Sequence, residues 1–175
     1  MEELYLKEID EGDETAVMDY RAEYLAAGDE PNGMGNLAEA GSYAEFLAAQ
    51  RRLARAETCP PGYVPATQYL ACRRTDGRLV GMLNFRHALN DHLLQTGGHV
   101  GYSVRPSERG RAYAAQMVGL VKAPARALGL DQLLITCNRG NIASARTIEK
   151  AGGVLEDERW DEAARHWVRR YWVAL

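Results

Sequence analysis

The residues with the clearest chemical potential surround the segment Arg109-Gly110-Arg111-Ala112, which separates two different sequence patterns. Strand-like residues precede it, and Pro106 cannot donate a hydrogen bond within a sheet, so we expect the strand to end there. From Tyr113 onward, apolar residues recur at helical spacing. The first N–H groups of a helix are unpaired and carry a partial positive charge, which suits an anion. The two arginines and the glycine therefore predict a site for a phosphorylated cofactor.

Other chemistries fit the sequence poorly. His87, Asp91 and His92 do not match the spacing of a standard metal-ligand set, so we expect no metal. Ser144 is not part of a Gly-x-Ser-x-Gly turn, which argues against a serine hydrolase. The three cysteines are far apart and odd in number, which predicts neither a disulfide framework nor a zinc site.

Length and charge narrow the class of protein further. The 175 residues predict one domain over 1–175 with a sizeable core. The net charge of -3 argues against a nucleic-acid partner, and the local basic patch of Arg105, Arg109 and Arg111 fits a small polyanion better than a duplex. The sequence has no apolar run long enough for a membrane span and no secretory signal, so we expect a cytoplasmic protein that does not bind membranes.

The remaining patterns predict the elements that hold this turn. We expect strands over residues 4–9, 68–74, 79–87, 99–104, 133–137, 154–159 and 166–173, and helices over residues 13–27, 42–57, 113–128 and 142–151. Ser42 and Glu45 have the spacing of a capping box, and Asn141 is a helix N-cap. Pro124 predicts a kink or a break near Leu120. The order predicts an α/β (α+β) domain with a mixed, mainly antiparallel sheet.

This order and these residues resemble the GCN5-related N-acetyltransferase (GNAT) superfamily. The family's cofactor motif, Gln or Arg, two free positions, Gly, one free position, then Gly or Ala, falls on residues 109–114. The segment from Cys137 to Gly153 resembles its second motif, a strand, an Asn and a helix ended by Gly. Residues 86–102 look like a bacterial subgroup of predicted acetyltransferases. The resemblance implies about seven strands, helices on both faces of the sheet, and fourth and fifth strands that splay apart.

The resemblance also implies that acetyl-CoA is the co-substrate and suggests where it binds. The backbone of Tyr102 and Val104 would hold the pantetheine arm between the splayed strands, and the Val104 N–H would polarise the thioester carbonyl. Asn141 and Ser144 would face the pantetheine from one side of a helix. The pyrophosphate would rest on the N–H groups of Arg109, Gly110, Arg111, Ala112, Tyr113 and Ala114.

Two positions depart from the family pattern. The first Gly of the cofactor motif is Ala112, and the helix position that carries a Tyr acid in many relatives is Ile148. Tyr102 could protonate the departing thiolate instead, or it could be a core aromatic.

The acceptor amine also needs a base, for which the candidates are His99, His87, Asp91 and Tyr102. His99 alternates to the strand face opposite Tyr102, which favours a hydrogen-bonded structural histidine over a base.

The resemblance implies an N-acetyltransferase that moves an acetyl group from acetyl-CoA to a primary amine by direct attack in a ternary complex. The acceptor could be a small molecule or a peptide. The departures at Ala112 and Ile148 motivate one alternative, a catalytically silent acyl-CoA-binding or sensor domain of the same fold. A scaffolding module with a vestigial pocket is a third and more distant possibility. The terminal strands offer a surface for a homodimer.

Overall fold

A single sheet of seven strands organises the computed structural model, which describes residues 2–175. The strands are β1 (Leu4–Glu8), β2 (Ala66–Arg73), β3 (Leu79–Arg86), β4 (Val100–Val104), β5 (Gln132–Asn138), β6 (Gly153–Asp161) and β7 (His166–Ala174). Their order across the sheet is β1-β2-β3-β4-β5-β7-β6. Every neighbouring pair is antiparallel except β4 and β5, which are parallel. The predicted mixed, mainly antiparallel sheet is therefore confirmed.

Four main helices cover the sheet: α1 (Glu14–Ala26), α2 (Tyr43–Leu53), α3 (Tyr113–Ala127) and α4 (Ile142–Lys150). Apolar side chains of α3 and α4 pack in one cluster with β5 and β7. Side chains of α1 and α2 form a second cluster with parts of β2 and β3. Both faces of the sheet are covered. For this reason β3 is buried at every residue from Leu79 to Phe85, and buried and exposed residues do not alternate along it. The helices lie on both faces, as predicted.

The start of α2 confirms most of the predicted capping. The Ser42 side chain accepts a hydrogen bond from the Glu45 N–H, but the Glu45 carboxylate accepts from the Gly41 N–H rather than closing the box on Ser42. The helix ends at Leu53, four residues before the predicted end at 57. Arg55, Thr58 and the residues that follow form turns instead.

The break predicted near Leu120 is wrong. Helix α3 continues through Pro124 to Ala127. Val121 and Ala125, on either side of the proline, are fully buried. Packing of this apolar face against the sheet therefore outweighs the one backbone hydrogen bond that proline removes. Among the described residues no helix is both long and apolar enough to span a bilayer.

The splay between β4 and β5 determines where a ligand can enter. Val100 and Ile135 are the one pair of residues in register between the two strands. Just before them, the His99 N–H donates to the Leu134 carbonyl at 2.7 Å. Beyond Val100 the strands separate, whereas β3 stays paired with β4 as far as Val104. The gap therefore opens on one edge of β4 only.

Candidate active site

A cleft of about 1280 Å³ opens where β4 and β5 separate. Its walls are β4, the turn that leads into α3, the end of β5, the first turns of α4 and the loop before α2. Every residue that the sequence assigns to cofactor binding lines it: Tyr102, Val104, Arg109, Gly110, Arg111, Ala112, Tyr113, Ala114, Asn141 and Ser144. The structure thus brings two distant segments of the chain to one cavity.

The turn into α3 presents a row of unused backbone donors. None of the N–H groups from Gly110 to Ala115 has a hydrogen-bond acceptor within residues 2–175. The Arg109 N–H weakly contacts the Pro106 carbonyl at 3.4 Å, and Gln116 is the first residue of the helix whose N–H is bonded, to the Ala112 carbonyl at 3.2 Å. Unpaired N–H groups at a helix start attract negative charge, and here they border the cleft.

Ala112 sits where the turn requires left-handed backbone. Its φ is 60° and its ψ is 20°, and Gly110 two residues earlier has a φ of 79°. An alanine in this region is strained by about 1 kcal/mol relative to glycine. The family pattern asks for glycine at this position, and the backbone geometry gives the physical reason.

The two arginines of the turn are half exposed and held by nearby acids. Arg109 pairs with Asp29 at 2.6 Å, and Arg111 lies 3.5 Å from Glu108. Exposed pairs of this kind contribute little to stability, so phosphate oxygens can compete for either guanidinium. Arg105 differs, because it is 3% exposed and its Nη1 contacts Asp19 and Glu23. Its predicted part in a basic patch for a polyanion is therefore wrong.

Tyr102 and Ser144 meet across the cleft. The Tyr102 hydroxyl lies 2.7 Å from the Ser144 Oγ, and burial raises the pKa of Tyr102 to about 12. Asn141 caps α4, because its Oδ1 accepts from the Ser144 N–H at 3.0 Å. Ile148 is fully buried in the core, so the family's usual Tyr position faces away from the cleft. The cleft end of α4 instead presents Ser144 and Thr147.

The histidines chosen from the sequence lie outside the walls of the cleft. His99 is 5% exposed, and its Nδ1 accepts from the Leu134 N–H at 2.9 Å. Burial lowers the pKa of His99 to about 4. The Nε2 of His87 lies 2.8 Å from the Thr67 Oγ1, and burial lowers the pKa of His87 as well. Both imidazoles are therefore tied by hydrogen bonds to residues of the sheet.

Sequence reasoning missed a third histidine. His166 lines the cleft together with Asp161, its register partner across the β6–β7 hairpin. The signal available in the sequence was a His at the start of a strand that follows an acidic loop, a pattern too common to single out. These side chains reach the cleft because β7 pairs with β5 along its length, which places the β6–β7 hairpin beside the end of β5.

Comparisons with known proteins agree with this geometry. The sequence matches a family model described as an acetyltransferase (GNAT) domain over residues 4–154. A search of curated protein sequences gives no match. Among solved structures, a Salmonella typhimurium acetyltransferase that modifies the N-terminal serine of ribosomal protein L7/L12 is 19% identical, with a TM-score of 0.70 over 98% of this chain and 95% of that chain.

Two further structures share the fold. RimJ of Mycobacterium smegmatis, in complex with CoA-disulfide, is 17% identical with a TM-score of 0.73, covering 98% of this chain and 81% of that chain. A chimera of the Vibrio cholerae spermidine N-acetyltransferase SpeG and hSSAT is 13% identical with a TM-score of 0.66, covering 98% and 95%. Since the family model spans most of the sequence and the splayed sheet agrees with it, the chain belongs to the GNAT acetyltransferase family.

Proposed function

We propose that this chain transfers an acetyl group from acetyl-CoA to a primary amine, by direct attack within a ternary complex, and that residues 1–175 act as one catalytic domain. The observation that carries the proposal is the row of free N–H groups from Gly110 to Ala115 at the mouth of the β4–β5 gap. A diphosphate fits such a row, and a thioester arm leading from it fits the gap. Relatives of known fold act on a ribosomal protein and on spermidine, which supports an amine acceptor.

The backbone of β4 is oriented to hold the arm of the co-substrate. The Arg105 N–H donates to the Val80 carbonyl of β3, so the backbone N–H and carbonyl groups of the odd-numbered β4 residues Gly101 and Ser103 point towards β3. Alternation along a strand then directs the N–H and carbonyl groups of Tyr102 and Val104 into the gap. A pantetheine amide can pair there as an additional strand would, and the Val104 N–H can polarise the thioester carbonyl.

The proposed reaction needs a base that removes a proton from the acceptor amine and an acid that gives a proton to the departing sulfur. The amine nitrogen must be unprotonated to form the C–N bond, and the departing sulfur needs a proton as the C–S bond breaks. The buried Tyr102 hydroxyl, relayed by Ser144, is the proton donor that we assign. His99 and His87 are held inside the sheet, so His166 replaces them as our candidate base.

A catalytically silent acyl-CoA-binding domain is the second candidate, favoured by the strained Ala112 at the pyrophosphate turn. Both candidate functions require binding of acetyl-CoA, which titration calorimetry tests. We expect saturable binding to one site per chain. Release of free CoA thiol in the presence of an amine panel separates the two functions. Binding without any acceptor-dependent thiol would favour the silent domain, and absence of binding would contradict both.

A further inference from the structure

Arg86 is a partly buried cation without a carboxylate partner. The two most buried arginines, Arg105 and Arg170, are 3% and 2% exposed, and each contacts two acids. Within residues 2–175 no carboxylate lies within ion-pair distance of Arg86. Burial lowers the pKa of the Arg86 guanidinium with no acid to oppose the shift. A charge in this position is costly unless an anion joins it.

Part of the Arg86 guanidinium is already in use. Its Nη1 donates to the carbonyls of Gly97 and Gly98, at 3.0 and 3.2 Å. These bonds fix the group in place at the end of β3. The Nε and Nη2 donors have no acceptor within the described residues, so a preoriented pair of donors remains for a ligand. An arginine fork of this kind matches the two oxygens of a carboxylate.

The free side of Arg86 lies beside the reaction centre. A Cβ built on Gly101 would lie 3.6 Å from the Arg86 Nη2 and 3.3 Å from the Gly33 N. Gly101 is next to Tyr102 on β4, and successive strand residues face opposite sides of the sheet. Arg86 therefore lies across the sheet from the Tyr102 and Ser144 side chains, next to the loop at Gly33, and both Arg86 and Gly33 line the cleft.

Two cavities meet at Arg86. It lines the cleft between β4 and β5 and also a second cavity of about 890 Å³, which is bounded by α2, the ends of β2 and β3, and the turn before β4. Cavities of this volume accommodate small molecules. The charged residues of the second cavity are Arg52, Arg86 and Glu39, with His92 at its edge, so its lining favours an anion over a polycation.

We propose that the acceptor of this acetyltransferase carries a carboxylate close to its amine, as in an α-amino acid, and that Arg86 binds that carboxylate while the second cavity holds the side chain. This inference rests on the proposed function. The inference predicts that polyamines and peptide N-termini are poor acceptors, because they have no carboxylate beside the amine. Arg86 thus acts as a specificity-determining residue.

The first test uses the unaltered protein and matched acceptors. Thiol release from acetyl-CoA is measured with the L-amino acids, their carboxamides and the corresponding decarboxylated amines, with spermidine and a short N-terminal peptide for comparison. We expect at least one amino acid to exceed its carboxamide about 100-fold in kcat/KM. Equal rates for an acid and its carboxamide would overturn the inference while leaving the acetyltransferase proposal intact. Dipeptides carry their carboxylate one residue away from the amine. Their rates, compared with those of the amino acids, show whether the carboxylate must be next to the amine.

The second test changes the arginine. Arg86→Gln should lower kcat/KM for the amino acid about 100-fold and leave the carboxamide rate and the calorimetric Kd for CoA unchanged. Arg86→Lys keeps the charge and should recover part of the loss, mainly through KM. An equal loss for acid and carboxamide would assign Arg86 a structural role instead.

If no acceptor is turned over, ligand-observed NMR of the amino acids on the CoA-loaded protein decides the matter. Binding of the acids that Arg86→Gln abolishes supports the inference, and no preference over the carboxamides overturns it. Failure of CoA binding itself would instead remove the proposed function.

Discussion

The hydroxyls of Tyr102 and Ser144 lie 2.7 Å apart and join β4 to the first turn of α4 across the gap between β4 and β5. The contact spans 42 residues of sequence, and both residues line the cleft. Because burial raises the pKa of Tyr102 to about 12, the phenol keeps its proton at neutral pH. In the proposed reaction this proton is passed to the leaving thiolate.

Removing the phenol hydroxyl should slow the chemical step. We expect Tyr102→Phe to lower kcat about 100-fold, within the usual range for a general acid, with little change in the Kd for acetyl-CoA. Ser144→Ala should lower kcat less, and the double variant should be no slower than Tyr102→Phe, since both residues serve one proton path. Tyr69→Phe, elsewhere in the sheet, is the matched control. Additive losses would show that the two hydroxyls act separately.

The left-handed backbone at Ala112 leads to a stability prediction. Ala112→Gly should relieve the strain and stabilise the fold by about 1 kcal/mol, measured by denaturant unfolding, and should tighten or preserve acetyl-CoA binding. Ala123→Gly, at an exposed position inside α3, should do the opposite and cost about 1 kcal/mol. A loss of CoA affinity in Ala112→Gly would contradict the placement of the pyrophosphate on this turn.

The burial of His99 makes stability depend on pH in a definite direction. The folded pKa of about 4 lies below the ordinary value of 6.5, so the unfolded chain binds the proton more readily. The contribution of neutral His99 to the free energy of unfolding is fully present above pH 6.5. It is lost as the pH falls from 6.5 towards 4, by roughly 3 kcal/mol in all. Unfolding free energies measured at pH 7 and pH 5 give the slope.

His99→Asn is the variant that isolates this effect. It should be less stable at pH 7, because the smaller side chain leaves part of the buried ring volume empty even if its Oδ1 accepts from the Leu134 N–H, but its stability should fall less between pH 7 and pH 5. His87 titrates in both proteins, so the difference in slope belongs to His99. Identical slopes would show that His99 is not the group responsible.

The sequence predicted the parts of this molecule that depend on local patterns. The order of strands and helices and the Ser42 and Asn141 caps follow from short-range rules and were confirmed. Short-range rules also predicted the turn at residues 109–114, and its role in binding an anion stays a prediction. The splay at Val100 came from family resemblance, since no local pattern encodes where two parallel strands separate.

Long-range contacts account for what the sequence did not reveal. Arg105 looked like a free cation until α1 supplied Asp19 and Glu23 from more than 80 residues away. Arg86 was unremarkable in the sequence, because a missing partner becomes visible only after folding. His166 reached the cleft through β5–β7 pairing. Each of these depends on tertiary neighbours that no spacing rule identifies.

Gly33 packs against β4, the strand that we propose holds the thioester. A Cβ built there would lie 2.4 Å from the Tyr102 Cα and 2.7 Å from the Gly101 carbonyl carbon, and the Gly33 φ is +70°. Since these are backbone atoms, a methyl group cannot fit unless the loop moves away from β4. We expect Gly33→Ala to destabilise the fold by more than about 2 kcal/mol and to raise the KM for the acceptor.

Gly28→Ala provides the matched control for that experiment. Its φ is +71°, but a Cβ there would have no heavy atom within 4 Å. It should therefore cost only the backbone strain, about 1 kcal/mol, and leave the KM for the acceptor unchanged. The difference between the two variants isolates the close approach to β4. Equal effects would mean that backbone strain alone, rather than contact with the strand at Tyr102, explains why the loop needs glycine.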